Sequence, residues 1–268
     1  MYSLQFFKGK IALITGASSG IGESTARELA RHGIEVILVA RREEKLRQIT
    51  KEITDHGGNA SYLAADLTQE QERFSLWQKL TEEHKIPQIL INNAGIGWYG
   101  YFHTMTWEAA RNLIQLNIEA SAHLSSLALP SMLANNYGHI VNIGSIAGKL
   151  PEQGIALYSS SKSFLDSFTT VLYRELVGTH VHVSVVRSGS VKTEFYDAAR
   201  KIENGGNVPA EKLAIPVSRV SRKIWRLLQS PRKAVYVPGW AYFSPLLEAC
   251  FGWLLDWIGP ILLKRSNR

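Results

Sequence analysis

Cysteine is nearly missing from this chain: Cys250 is the only one in 268 residues. One thiol cannot build an internal disulfide framework, and its isolation removes any cysteine-rich metal site. Nothing in the cysteine usage therefore points to an oxidising compartment. The start of the chain lacks a basic segment followed by an apolar stretch, so export through a signal peptide is not expected. Asn59-Ala60-Ser61 then reads as a chance glycosylation sequon. Acids are outnumbered, 23 Asp and Glu against 30 Lys and Arg, and the net charge of +7 favours anionic partners. Cofactor phosphates, an acidic membrane surface and nucleic acid would each qualify. The basic residues are scattered rather than gathered into one run, which sets nucleic acid aside. Internal repeats, low-complexity tracts and a convincing linker are also missing.

What the chain does have is alternation. Ile11 to Thr15, Val36 to Ala40, Ile89 to Asn92, Ile140 to Ile143 and Val183 to Val186 are short apolar runs. They fit strands covered on both faces. Ala60 to Ala65 and Val235 to Val237 are weaker strand candidates. Between them, Ser24 to His32, Glu43 to His56, Gln69 to His84, Trp107 to Ala134 and Leu157 to Val177 carry apolar residues at helical spacing. Repeated strand–helix units imply right-handed crossovers and a doubly wound parallel α/β sheet, Rossmann-like, in a single domain over residues 1–239. Ligands of such sheets bind beyond the carboxyl ends of the strands. The polar stretch 190–216 is long for a connection and is expected to act as a lid over the site.

The first strand runs into Thr15-Gly16-Ala17-Ser18-Ser19-Gly20-Ile21-Gly22 and then a helix. Glycines allow a sharp turn and close backbone approach, and the helix N-terminus offers free N–H groups to a phosphate. The spacing is GxxxGxG rather than GxGxxG.

That stretch resembles the cofactor loop of the short-chain dehydrogenase/reductase family, and further stretches fit the same pattern in order. Asn92-Asn93-Ala94-Gly95 follows a strand, Asn117 lies in the next helix, Ser145 ends a strand, and Tyr158-Ser159-Ser160-Ser161-Lys162 gives YxxxK. The resemblance spans about Lys8 to Val237. It implies cofactor contacts at Gly16, Ser18, Ser19, Gly20, Ile21, Gly22, Asn93, Ala94 and Gly95. Asp66 and Leu67 resemble the element that meets the adenine. Asn117 would hold a water linking Lys162 to solvent. A homodimer or homotetramer is expected on the same ground.

The residues themselves support the chemistry. Tyr158 and Lys162 are four apart and share one face of a helix. A lysine ammonium beside a tyrosine favours the phenolate and is expected to lower its pKa. Tyr158 could then exchange a proton with a carbonyl or alcohol oxygen, and Ser145 would hydrogen-bond that oxygen. Lys162 would also hold the nicotinamide ribose. The second strand ends Val39-Ala40-Arg41-Arg42, with no acid for ribose hydroxyls, so NADP(H) is the expected cofactor. Arg41 leads as the 2′-phosphate ligand, with Arg42 and Ser18 as helpers. After the sixth strand the family reads Pro-Gly, whereas here Ser188 precedes Gly189, with Val191 and Thr193 in place. A changed contact on the nicotinamide side is expected there, without loss of activity.

Together these readings give an NADP(H)-dependent oxidoreductase working on a small-molecule carbonyl or alcohol, with no metal. The aromatic stretch Trp98-Tyr99-Gly100-Tyr101-Phe102 leaves two readings open, a bulky apolar substrate or plain packing. A non-catalytic NADP(H)-binding sensor and a membrane-associated scaffold are the rivals. The tail, residues 240–268, is apolar and aromatic, then basic. As a helix it aligns Leu246, Cys250, Trp253, Leu254, Trp257, Ile258 and Ile261, with a thin polar line at Glu248, Gly252 and Asp256. Pro245, Glu248, Asp256 and Pro260 interrupt any membrane span. Packing on the core or a partner subunit is the favoured reading, and an anionic membrane surface is the alternative. The expected location is cytoplasmic, with peripheral membrane attachment left open.

Overall fold

The computed structural model describes residues 2–206, 211 and 213–266, the side chains of 255 and 258–266 excepted. Parts of the expected lid (207–210 and 212) and of the tail's stripe and basic end (Ile258, Ile261, Lys264 to Arg268) lie outside these descriptions.

Each apolar run forms a strand: β1 Ile11–Thr15, β2 Glu35–Ala40, β3 Ala60–Ala64, β4 Ile89–Asn92, β5 Gly138–Ser145, β6 Val181–Ser188 and β7 Ala234–Val237. All pair in parallel in the order β3-β2-β1-β4-β5-β6-β7. Alternate residues of one strand feed opposite layers. Ile14 and Leu38 join one apolar cluster, and Leu13 and Ile37 join the other. The first layer is covered by α2 (Gly20–Arg31), α3 (Glu43–Asp55) and α9 (Val217–Gln229). The second is covered by α4 (Glu70–Glu82), α6 (Ala120–Ala134) and α7 (Ala156–Glu175). A sheet buried on both faces explains why the strands are apolar throughout rather than alternating.

β1 has β2 on one side and β4 on the other. The chain leaves these strands in opposite directions, and the crevice at that switch point is where such sheets bind ligands.

The expected single helix from Trp107 to Ala134 is interrupted. It forms α5 (Trp107–Ile114), a π-turn over Gln115–Glu119 and then α6. Three helices stand outside the expected set: α1 (Leu4–Phe7), α8 (Phe195–Lys201) and α9. α8 falls in the stretch read as a lid. Its described part is stitched to the body by Gly206 N–H donating to Tyr99 O (2.7 Å) and Trp98 Nε1–H to Glu203 O (3.0 Å), while Ile215 N–H donates to Ser190 O (2.9 Å) across its own two ends.

After β7 the chain forms a 3-10 turn over Gly239–Phe243 and then α10 (Ser244–Ser266). The bulky described side chains of α10 do not pack on the core, although Ser244 is buried and Glu248 is half-buried. Leu246, Phe251, Trp253 and Trp257 are all exposed.

Candidate active site

The loop after β1 turns back tightly under β4. Gly16 has φ +63°, and a Cβ there would come within 2.9 Å of Ala94 Cα. At Gly22 a Cβ would lie 2.4 Å from Gly16 O, so side chains are excluded where α2 begins. Thr15 and Asn93 lock this arrangement. Thr15 Oγ1 donates to Ile91 O (3.2 Å) and accepts from the N–H groups of Asn93 and Ala94, each at 2.9 Å. Asn93 Nδ2 donates to Thr15 O (2.9 Å) and Gly16 O (3.2 Å). The result is a side-chain-free cradle at a helix N-terminus, which fits a pyrophosphate.

Above it lies a cavity of about 440 Å³. The structure brings to its wall Gly16, Ser18, Ser19, Gly20, Ile21, Arg41, Arg42, Asp66, Leu67, Asn93, Ala94 and Gly95 from the cofactor set. Ser145, Tyr158, Lys162, Gly189, Val191 and Thr193 line it as well. Gly22 and Asn117 stand behind the wall. Among the described residues no group of His, Cys, Asp or Glu could hold a metal ion.

At the adenosine end the two arginines differ. Arg42 reaches Ser18 Oγ with Nε (3.1 Å) and Nη2 (3.0 Å), and Glu194 with Nη1 (2.7 Å). Arg41 is more exposed and lies 3.9 Å from Asp66 Oδ2. Asp66 also accepts from the N–H (3.0 Å) and hydroxyl (2.9 Å) of Thr68. Arg42 holds the Glu194 carboxyl below its ordinary range. Ser18 and Arg42 therefore form a prebuilt guanidinium–hydroxyl pair of the kind that fits a ribose 2′-phosphate.

At the other end, β5 delivers Ser145 and α7 delivers Tyr158 and Lys162. Lys162 Nζ donates to Ile143 O (2.9 Å) and lies 5.7 Å from the Tyr158 ring centre. Desolvation pushes Tyr158 up to about 12, against the lowering effect of its hydrogen bond with Ser145. The expected lowering by Lys162 is not found: burial, with Tyr196 adding to it, penalises the phenolate more than the Ser145 hydrogen bond stabilises it. Desolvation also pulls Lys162 down to about 8, partly opposed by Asp166.

Asn117 is fully buried in the π-turn. Its Oδ1 accepts from Ile96 N–H (2.9 Å), and its Nδ2 donates to Ile96 O (3.0 Å) and Ser161 Oγ (3.0 Å). Ser161 in turn donates to Tyr158 O (2.7 Å). Asn117 thereby ties the segment after β4 to α7. Ser188 is buried and its hydroxyl faces Gly144 O at 3.4 Å, while Gly189 N–H donates to Val237 O (2.8 Å).

Sequence reasoning missed Glu194, Phe195 and Tyr196, which line the cavity from the segment after β6. The Phe195 ring lies 5.6 Å from that of Tyr158. Of the aromatic stretch, Trp98 and Tyr99 are buried on the cavity wall and Phe102 is exposed.

A phosphate cradle at the switch point and a buried Tyr–Lys pair across the same cavity define a dinucleotide-dependent oxidoreductase fold and site. The chain belongs to the short-chain dehydrogenase family, whose model, described as short chain dehydrogenase, matches residues 10–204. It is 32% identical over 222 residues to the NADP-dependent 3-hydroxy acid dehydrogenase YdfG of Shigella flexneri, covering 80% of this chain and 87% of that one. A metagenomic short-chain oxidoreductase in complex with NADP superposes with TM-score 0.73 at 34% identity, covering 86% of this chain and 97% of the other. A Sphingobium yanoikuyae short-chain dehydrogenase in complex with NADPH gives TM-score 0.79 at 30% identity, covering 92% and 96%.

Proposed function

We propose that this protein is an NADP(H)-dependent oxidoreductase that interconverts a carbonyl and an alcohol on an apolar small molecule, with Tyr158 as acid and base. The observation that carries the reading is the meeting of Ser145, Tyr158 and Lys162 on the wall of the cavity that the glycine cradle opens into. NADP(H), held by the cradle and by the Ser18–Arg42 pair, supplies or accepts the hydride. The solved relatives bound to NADP and NADPH support this choice of cofactor.

The chain's own groups handle the proton and the oxygen. Tyr158, kept protonated by desolvation, donates its hydroxyl proton to a carbonyl oxygen under reduction. Ser145 donates a hydrogen bond to the same oxygen as negative charge builds. Lys162, as ammonium, stabilises the phenolate left on Tyr158 and is placed to hold ribose hydroxyls. Asn117 fixes the register between α7 and the segment carrying Ile96, and a water relay from Lys162 past Asn117 would reprotonate Tyr158. Trp98, Leu150, Ile155 and Phe195 give the substrate end apolar walls that exclude water.

Titration of the protein with NADPH and NADH, followed by nicotinamide fluorescence, tests the cofactor half. Tight NADPH with weak NADH is expected. A Tyr158→Phe variant tests the chemistry: turnover of a carbonyl panel should fall roughly 10²- to 10⁴-fold while NADPH binding persists. Unchanged turnover would remove Tyr158 from the mechanism and favour a binding-only role.

A further inference from the structure

α10 is turned the wrong way round for a helix of a soluble monomer. Its small and polar residues recur four apart, at Ser244, Glu248 and Gly252, and so share one line along the helix. That line faces the body of the protein: Ser244 is 1% exposed, Glu248 and Gly252 are half-buried, and Glu248 Oε2 is sequestered without a hydrogen-bond partner. The bulky residues face outward. Trp253 is 66% exposed and Trp257 71%, with exposed Leu246 on the same face of the helix. The preceding turn adds Trp240, Tyr242 and Phe243, all exposed. A contiguous aromatic surface of this kind marks an interaction site rather than ordinary surface.

The chemistry of the surface selects its occupant. Tryptophan and tyrosine combine an apolar ring with a polar edge, which suits the boundary between water and lipid headgroups. No helix among the described residues is long and apolar enough to cross a membrane. Pro245, Glu248, Asp256 and Pro260 interrupt α10 as a span, which leaves an orientation in the plane of the interface. The charge agrees. β6 ends at the cavity end of the sheet, so α9 begins there, and β7 returns the chain to the same end before α10 departs. Arg219 and Arg222, exposed in the first turns of α9, make no ion pair among the described residues. In the sequence, α10 leads into Lys264, Arg265 and Arg268. Asp256 is the acid on the exposed side of α10 that opposes this charge. With a net charge of +7 the molecule as a whole is also drawn to anionic surfaces.

We propose that α10 and the turn before it dock this protein on an anionic lipid surface, with Trp240, Trp253 and Trp257 inserted at headgroup depth. The docking does not depend on the reading of the active site.

The test is flotation of the full chain with phosphatidylcholine vesicles, with and without phosphatidylglycerol, alongside tryptophan fluorescence. Binding that needs phosphatidylglycerol, weakens with added salt and shifts the emission to the blue is expected. A Trp253→Ser/Trp257→Ser double variant changes only exposed side chains. It should bind these vesicles at least roughly tenfold more weakly, because both inserted rings are lost. Its NADPH affinity, measured in parallel, should stay unchanged and show that it is folded. Failure of the full chain to float overturns the proposal. So does a concentration-dependent dimer that the double variant abolishes in the absence of any flotation, since the surface would then belong to a second copy. Equal binding to vesicles lacking phosphatidylglycerol overturns the anionic assignment.

Discussion

At the scale of single residues, burial decides the chemistry. Tyr158 is held near 12 and Lys162 near 8, so the lysine titrates first. Carbonyl reduction needs the Tyr158 hydroxyl and the Lys162 ammonium together. Its rate should hold at neutral pH and fall as pH rises through about 8, where Lys162 loses its charge. Alcohol oxidation needs the phenolate, and with Tyr158 pushed up to about 12 its rate should keep rising well above the pH at which reduction falls. Initial rates in both directions against pH check this, and a Lys162→Met variant should lose the alkaline fall along with most of its activity. A reduction rate unchanged far above that pH would remove the ammonium from the reaction. The arginines give a second prediction. Arg42→Ala should weaken NADPH binding about tenfold to a hundredfold, the worth of charge-assisted hydrogen bonds, and leave NADH nearly unaffected. Equal losses for the two cofactors would place Arg42 outside 2′-phosphate recognition. The spacing of Tyr158 and Lys162 was legible because the chemistry demands those residue types one helical turn apart. Glu194 was not legible, because its meaning lies in Arg42, which only the fold brings to it.

At the scale of elements, strands were easier to read than helices that cover them. The run from Ile11 to Thr15 cannot be other than buried, and β1 matches it to the residue. α9 carries an equally clear signal in Val220, Ile224, Trp225, Leu227 and Leu228, which all face the core. The π-turn at Asn117 was not legible, since no propensity marks one extra residue per turn. α9 packs on α2 and closes one layer, so it is an element on which the domain depends. Leu228 is fully buried there. Leu228→Ala should cost about 2–5 kcal/mol of stability by leaving a cavity. Exposed Arg226→Ala on the same helix should change little. Chemical denaturation of the two variants separates these outcomes, and equal stabilities would mean that α9 is not part of the cooperative core.

At the scale of the whole molecule, the sheet order follows from rules of handedness and crossover, so the site could be placed before any side chain was weighed. What those rules leave open is how α10 sits, because a helix apolar on nearly every side gives no face to orient by. The site also joins parts of the chain that are far apart in sequence: the loop after β1, the end of β2, the end of β5, α7 and the segment after β6 all contribute to one cavity. A ligand that bridges them binds only the folded chain and stabilises it by mass action. At about a hundred times its dissociation constant NADPH should add about 2.7 kcal/mol. For a chain of this length each kcal/mol raises the melting temperature by about 2–4 °C, so a rise of roughly 5–11 °C is expected. NADH at the same concentration should raise it by less, because Ser18 and Arg42 find no phosphate on its ribose. The Arg42→Ala variant should narrow that difference with little change in its unliganded melting temperature, since its ion pair with Glu194 lies at the surface. Thermal melts of both proteins with each nucleotide read the whole chain of inference at once. A shift that is the same for NADH and NADPH would leave the cradle in place and remove the arginine from cofactor choice. No shift with either would mean that the cavity does not bind a dinucleotide.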